Sequence, residues 1–202
     1  MKKYLVLLLG ICYVSYCTAQ DDEFRTIFRN KDNKHLKISA FGGPLMGFTS
    51  VGNDFCHMMG GGGAIMVGNT FFGGYGMGKT NSTAYKNDPS YDLSYGYGGL
   101  WMGYVLAPNA PVHLSISGQM GWGAVSKASK YPDGTLENIE SQPIFVLTPI
   151  AELEFNFSRF FKLGAGVSYN YVTGDGITQT PYTMSELSKP LLFMSFKFGW
   201  FH

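Results

Sequence analysis

The sequence predicts an all-β protein: a transmembrane, antiparallel, up-and-down β-barrel of about eight strands. Two features of its composition point there. The chain has 27 glycines in 202 residues, and its 16% aromatic residues exceed its 14% charged residues. A soluble domain normally carries about 25% charged residues, so this chain has too few to cover a water-facing surface of ordinary kind. The third observation is a period-two alternation of large apolar with small or polar residues, which is typical of membrane-spanning strands.

The N-terminus has the layout of a secretory signal peptide over residues 1–19. Lys2 and Lys3 precede the apolar run 4–11, and the segment ends on Cys17-Thr18-Ala19, which fits a cleavage site that favours small residues. A spanning helix would need about 20 apolar residues, and this run is much shorter. A lipoprotein with Cys17 acylated is disfavoured because the bulky Tyr16 precedes it.

Residues 20–35 follow as a polar, charged leader that we expect in the periplasm, either as a disordered segment or in contact with a partner. Removing Lys2 and Lys3 from the 15 basic residues leaves a nearly neutral chain against 14 acidic residues, so no nucleic-acid partner is expected. Only Cys56 remains after cleavage, which excludes an internal disulfide.

Residues 36–202 are predicted to form the barrel, and its first four strands are rich in glycine. We place these strands at 36–49, 56–67, 71–79 and 93–106. In the fourth, the large residues share one face, opposite Ser94, Gly96 and Gly98: Leu93, Tyr95, Tyr97 and Trp101.

The next four strands alternate more clearly, at 112–124, 144–157, 161–171 and 192–200. In each of them, large apolar residues fall on one face and small or polar residues on the other. In the second, for example, Leu147, Leu153 and Phe155 oppose Thr148 and Glu152.

The connections between these strands alternate between short and long. Tight turns are predicted at 68–70, 108–109 and 158–159, and long polar connections at 80–92, 126–142 and 173–189, with 50–55 of intermediate length. Outer-membrane barrels have short periplasmic turns and longer extracellular loops in this order. Proline cannot donate to a strand ladder, so Pro44 and Pro149 are expected at bulges or at breaks in pairing.

We expect the large apolar face to contact lipid, with glycines, hydroxyls and a few ions filling a lumen too narrow for an open channel. Aromatic residues would then form a belt at each membrane–water interface. The predicted members of the two belts are Tyr95, Tyr97, Trp122, Tyr169 and Tyr171 at the outer edge and Phe155, Phe157, Phe161, Phe198 and Trp200, together with Phe71, at the periplasmic edge. A soluble lipocalin-like barrel, with its apolar face turned inward, is the alternative.

Five charged residues are predicted to face the lumen: Lys37, Glu152, Glu154, Lys162 and Lys197, with His113 nearby. An unpaired charge in such an interior costs several kcal/mol, so these groups should pair. One interpretation is an internal ion network that fills the lumen. The other makes the two glutamates part of a proton or ion path, or a catalytic dyad.

The chain resembles the small Bacteroidetes-type outer-membrane β-barrel proteins, a porin-like group with the architecture of OmpX and of the OmpA membrane domain. The resemblance rests on Ala19-Gln20, 41–44, 71–78 and the aromatic last strand 196–201. It implies an outer-membrane location, contact with outer-membrane lipid or lipopolysaccharide, and recognition of the last strand by the barrel-assembly machinery. His202 departs from the pattern, because an aromatic residue usually ends such chains.

The resemblance implies a non-enzymatic barrel with a structural or interaction role, either as an accessory subunit of an outer-membrane protein complex or as a surface-loop binding or adhesion protein. No catalytic, cofactor or metal site is predicted. A lipid A-modifying enzyme is one alternative, because His113-Leu114-Ser115 has the His-x-Ser spacing of the lipid A deacylases. A small-solute pore is the second alternative, disfavoured by the narrow lumen.

Overall fold

The computed structural model describes residues 38–52, 54–82, 84–85, 88–130, 136–174 and 183–201, of which 84–85, 88–90, 130 and 136–140 are described by their backbone alone. Ten strands and one short helix follow one another along these residues. In chain order they are β1 (Ile38–Val51), β2 (Asp54–Val67), β3 (Thr70–Lys79), β4 (Ala84–Tyr85), β5 (Asp88–Val105), β6 (Val112–Lys130), β7 (Leu136–Asn156), β8 (Phe161–Tyr169), β9 (Tyr171–Thr173), α1 (Met184–Leu187) and β10 (Pro190–Gly199). No helix in this part of the chain is long and apolar enough to cross a membrane.

The strands close into an antiparallel ring. Chain neighbours pair along the sheet, β3 pairs with β5 across the short β4, and β10 joins β1 to β8. Because β8 and β9 are one strand interrupted at Asn170, and β4 only extends the edge of β5, eight strands form the barrel. A closed ring leaves no unpaired strand edge in the bilayer. The predicted transmembrane up-and-down barrel is confirmed.

Strands β6 and β7 each have a membrane-spanning part and an extension beyond it. Val112 lies opposite Phe155 and Trp122 opposite Phe145, which spans about 11 residues, the length a tilted transmembrane strand needs. Beyond Trp122, β6 continues to Lys130, still paired with β7. The loop predicted at 126–142 is therefore largely strand. A strand outside the membrane needs no apolar face, so the sequence of this extension resembles that of a polar loop.

The four strands with clear alternation face the way the sequence predicts. In β6, β7, β8 and β10, the small and polar residues point into the lumen, and most of the large apolar residues point outward. The buried polar residues of these four strands include His113, Ser115, Ser117, Gln119, Thr148, Glu152, Glu154, Lys162, Ser168, Ser195 and Lys197.

In the glycine-rich strands β1, β2, β3 and β5, many large side chains point into the lumen. For β5 this is the opposite of the predicted orientation. Tyr95 and Tyr97 are only 3% and 5% exposed, and Phe71 is also buried. Their predicted contact with lipid is therefore wrong. Neighbouring glycines leave room for the rings: a Cβ at Gly62 would lie 3.2 Å from a ring atom of Trp101.

The two prolines lie at breaks in the ladders, one of the two outcomes that the sequence predicts. On β1, pairing with β10 skips from Gly42 opposite Phe198 to Leu45 opposite Ser195, passing over Pro44. On β7, Pro149 lies between the residues that pair with β8 and those that pair with β9. At each proline, the ladder on one side is already interrupted. The missing N–H therefore breaks no further hydrogen bond on that side.

Candidate functional site: an ion cluster inside the barrel

A buried ion cluster lies inside the barrel near the end where the short turns lie, and Lys197 on β10 is its centre. The Lys197 ammonium donates to Glu154 Oε1 at 2.6 Å and to Glu152 Oε1. All three side chains are almost completely buried. The geometry follows from period two, because residues 152 and 154 project from the same face of β7 one pleat apart. One cation therefore bridges two carboxylates.

Both carboxylates have further partners. Ser195 donates its hydroxyl to Glu152 Oε2 at 2.9 Å, and the Nε2 of His113 lies 3.1 Å from Glu154 Oε2. The other ring nitrogen of His113 is 3.0 Å from the carbonyl oxygen of Ala110. Each carboxylate thus has hydrogen bonds to both of its oxygens, which is the condition for burying such charges at tolerable cost.

The opposite side of Lys197 is aromatic. Its ammonium lies 5.4 Å from the ring of Phe41, 5.5 Å from that of Phe71 and 5.2 Å from that of Trp101. The three rings pack edge to face at centroid distances of 5.2–5.7 Å. A cation within about 6 Å of a ring face is attracted by the ring quadrupole, so the rings help to hold this buried charge. The contact of these three rings with Lys197 was not predictable from the sequence, because their register against β10 depends on closure of the barrel.

Gly164 on β8 makes room for the cluster. A Cβ at this position would collide with the carboxylate of Glu152 and the hydroxyl of Ser195. The glycine faces the lumen directly opposite Glu154 and Ser195 on the neighbouring strands. A side chain here would push the ion cluster apart.

Lys162, another of the five predicted lumen charges, is not hydrogen-bonded to this cluster. Lys162 is buried at 3% exposure, its Nζ 4.4 Å from the ring centroid of Phe201, and it has no hydrogen bond or ion pair to any residue that the structure describes. Lys37 lies outside the described residues. The structure thus brings together Glu152, Glu154 and Lys197 and leaves Lys162 at the mouth of the lumen.

The predicted interface aromatics separate into two groups. Outside the barrel, the structure places rings at both ends of the spanning strands. The exposed rings are Trp122, Phe157, Tyr169, Tyr171, Phe198 and Trp200, and the half-buried rings are Phe155 and Phe161. Phe161 stacks on Phe198 at a centroid distance of 5.0 Å. Tyr95 and Tyr97 lie inside instead. There the Tyr97 hydroxyl accepts from Asn170 Nδ2 at 3.1 Å, and Asn170 accepts from Thr148 at 2.8 Å.

The cluster offers little that could perform catalysis. Both ring nitrogens of His113 are engaged, and the Ser115 hydroxyl has no hydrogen-bond partner in the described part of the chain, so no base is placed to activate it. Both side chains face the lumen, away from lipid. Among the described residues, no three His, Cys, Asp or Glu side chains are grouped to hold a metal ion.

Comparison with known proteins shows the fold and no closer relationship. The chain matches no family model and no curated protein sequence. Neisserial surface protein A is similar in structure, with a TM-score of 0.50 and 13% identity, covering 80% of this chain and 94% of that one. The N-terminal β-barrel domain of Pseudomonas aeruginosa OprF has a TM-score of 0.53 and 10% identity, covering 81% of this chain and 97% of that one. This chain therefore has the fold of the eight-stranded transmembrane β-barrels.

Proposed function

We propose that this protein is a non-enzymatic barrel of the bacterial outer membrane that works by binding, through the hairpin formed by the ends of β6 and β7. The observation that carries the proposal is the length of this hairpin. Its strands pair for about eight residues beyond Trp122 and Phe145, which at about 3.3 Å per residue is roughly 25 Å of sheet. A barrel that only filled the membrane would not need this extension.

The projecting hairpin has features of a recognition surface. From Leu136 to Ile144, the described pairing of β7 is with β6 alone, because β9 joins β7 only from Phe145 onward. A strand edge presents backbone donors and acceptors that another chain can pair with. At its base, Ser126 donates to Ser141 across the hairpin at 3.0 Å, so the two strands are also joined through side chains.

The proposal includes a cellular location and an orientation. We place the chain in the outer membrane after removal of residues 1–19, with 20–35 in the periplasm and the hairpin outside the cell, as in the Bacteroidetes-type barrels it resembles. Ser129→Cys should then react with an impermeant maleimide on intact cells, and Asn109→Cys only after permeabilisation. The native Cys56 is buried and should not react with the maleimide in intact or in permeabilised cells. Mass spectrometry of the mature chain should find Gln20 at its start.

The partner is proposed to be another outer-membrane protein, which makes this chain an accessory subunit of a complex, or a ligand outside the cell, which makes it an adhesin. Outer-membrane lipid and lipopolysaccharide surround the barrel, and the barrel-assembly machinery acts on it during biogenesis. The hairpin can be trimmed to test this by joining Val125 to Gln142, which are paired, through an Asn-Gly turn.

Cross-linking in native membranes, followed by mass spectrometry, compares the intact and trimmed chains. A stoichiometric membrane companion that is lost on trimming supports the subunit role, and loss of cell binding to an extracellular ligand supports adhesion. Trimming should leave the heat-modifiable barrel intact. If trimming alters neither readout, the binding role of the hairpin is wrong.

Lipid A modification is disfavoured by the inward position of His113 and Ser115, and because no described residue forms a hydrogen bond with the Ser115 hydroxyl. Mass spectrometry of lipid A after overexpression should show no change. A solute pore is disfavoured by the buried side chains that fill the lumen, including Trp101, Phe71 and Phe193. Conductance in planar bilayers should stay at the level of the lipid alone.

A further inference from the structure

His113, at the start of β6, has a hydrogen-bond acceptor opposite each of its two ring nitrogens. Its Nδ1 lies 3.0 Å from the carbonyl oxygen of Ala110, and its Nε2 lies 3.1 Å from the Glu154 carboxylate. A neutral imidazole has one N–H and one lone pair, whereas an imidazolium has two N–H groups. Only the doubly protonated ring can therefore donate to both acceptors at once.

Both partners of His113 are arranged to accept. The Ala110 carbonyl has no proton to give, and it also accepts from Asn156 Nδ2 at 2.7 Å. The other oxygen of Glu154 accepts from the Lys197 ammonium at 2.6 Å, as an ionised carboxylate does. The His113 ring is only 5% exposed, so water does not replace either partner.

The charged groups around His113 come from three other strands. Glu152 and Glu154 project from β7, Lys197 from β10 and Lys162 from β8. The two carboxylates share the Lys197 ammonium through hydrogen bonds, and Lys162 attracts Glu154 without one. The β5–β6 turn, which covers residues 106–111, contributes no charged residue. The hydrogen-bonded set thus has two anions and one ammonium, and a protonated His113 makes this set neutral, which lowers the cost of burying it.

The carbonyl that His113 contacts belongs to the β5–β6 turn, whose backbone is strained. Ala107 has a φ of +52°, in the left-handed region that residues other than glycine rarely adopt. Such a conformation persists only where the surrounding contacts hold it. Here the Ala110 carbonyl is held by His113 and by Asn156, and the Ala110 N–H donates back to Ala107 O at 2.9 Å. Losing the His113 donor would therefore weaken the hold on a turn that is already strained.

We propose that His113 is a buried imidazolium that latches the β5–β6 turn to the ion cluster, and that raising the pH releases this latch. When either ring nitrogen loses its proton, a lone pair faces an oxygen lone pair, and one of the two contacts becomes repulsive. The latch is closed while both nitrogens carry protons, and it opens as the pH rises through the value at which the second proton leaves. The barrel thus has a pH-sensitive device at the end opposite the projecting hairpin.

Solid-state NMR of the mature chain in lipid vesicles, labelled with ¹⁵N in histidine, tests the charge state. Replacing His35, His57 and His202 by glutamine leaves His113 as the sole histidine, so its signals are assigned without changing the cluster. We expect a proton on each ring nitrogen at neutral pH and the loss of one proton at higher pH. A ring with a single proton at neutral pH overturns the proposal.

A nitroxide spin label on Asn109→Cys, in a chain with Cys56→Ser, tests the latch, because Asn109 is an exposed residue of the same turn. The label should become mobile over the pH range in which the NMR titration shows the second proton leaving. His113→Gln has a donor on one side of its amide and an acceptor on the other, so it imitates the singly protonated ring. It should shift the turn at least about tenfold toward the open form at neutral pH, because it removes a charged hydrogen bond.

His57→Gln is the matched control, because the His57 ring bonds Thr80 at the other end of the barrel. It should leave the pH dependence of the label unchanged. If His113→Gln fails to fold, the pH curve of the otherwise unchanged chain still decides. Label mobility that does not follow the protonation of the His113 ring overturns the proposal.

Discussion

The two halves of the barrel interior fill the lumen with different kinds of side chain. The inner face of β1, β2, β3 and β5 is aromatic and glycine-rich, with Phe41, Phe71 and Trp101 packed together. The inner face of β6, β7, β8 and β10 carries most of the hydroxyls and the charges around Lys197. Lys197 touches both halves, through carboxylates on one side and rings on the other. Large rings thus fill the lumen from one side, and short polar side chains meet them from the other.

The largest effect that tests this division is expected from Lys197→Met. The substitution keeps most of the side-chain volume but leaves Glu152 and Glu154 buried without their shared cation, which should lower the free energy of unfolding by about 3–5 kcal/mol. Urea titration of the vesicle-inserted barrel, followed by its heat-modifiable gel shift, measures this.

The control for this prediction is the triple variant Lys197→Met, Glu152→Gln, Glu154→Gln. It removes all three charges, so most of the lost stability should return. If the single variant unfolds at the wild-type urea concentration, the ion cluster does not hold the polar half together.

A smaller loss is expected from Gly164→Ala in the polar half. The added methyl group would collide with the Glu152 carboxylate and the Ser195 hydroxyl, which themselves are held by Lys197. Overpacking of this kind costs about 1–3 kcal/mol. The same urea titration measures it, and a wild-type midpoint would show that the carboxylates can move without penalty.

Sequence periodicity predicts the polar half well and the aromatic half poorly, for a physical reason. In β7, Glu154 is strongly hydrated in water and Leu153 is not. Only one orientation, with Leu153 toward lipid and Glu154 toward the lumen, is therefore tolerable in a membrane. In β5, one face carries Tyr95 and Tyr97 and the other carries glycines. Either face could contact lipid at low cost. The decision depends on which rings fit the lumen after the barrel closes, and this is a property of strands distant in sequence. The ion cluster was accordingly predictable and its aromatic partners were not.

The link between the halves through Tyr97 should contribute about 1 kcal/mol. Tyr97→Phe keeps the ring and removes the hydroxyl that accepts from Asn170, which leaves one buried donor without its partner. Tyr171→Phe is the matched control, because that ring is 52% exposed on the outer wall. Equal urea midpoints for the two variants would argue that Tyr97 does not bridge the halves.

The smallest effect is expected from Gly76→Ala, with the opposite sign to Gly164→Ala. No atom lies within 4 Å of a Cβ built on Gly76, on a strand whose inward residues belong to the aromatic half. Alanine restricts the unfolded chain more than glycine, so the barrel should gain about 0.5–1 kcal/mol in the same urea titration. A loss as large as that of Gly164→Ala would mean that glycine is required on the outer wall as well as in the lumen. The division between a crowded interior and an open lipid-facing surface would then fail for this half of the barrel.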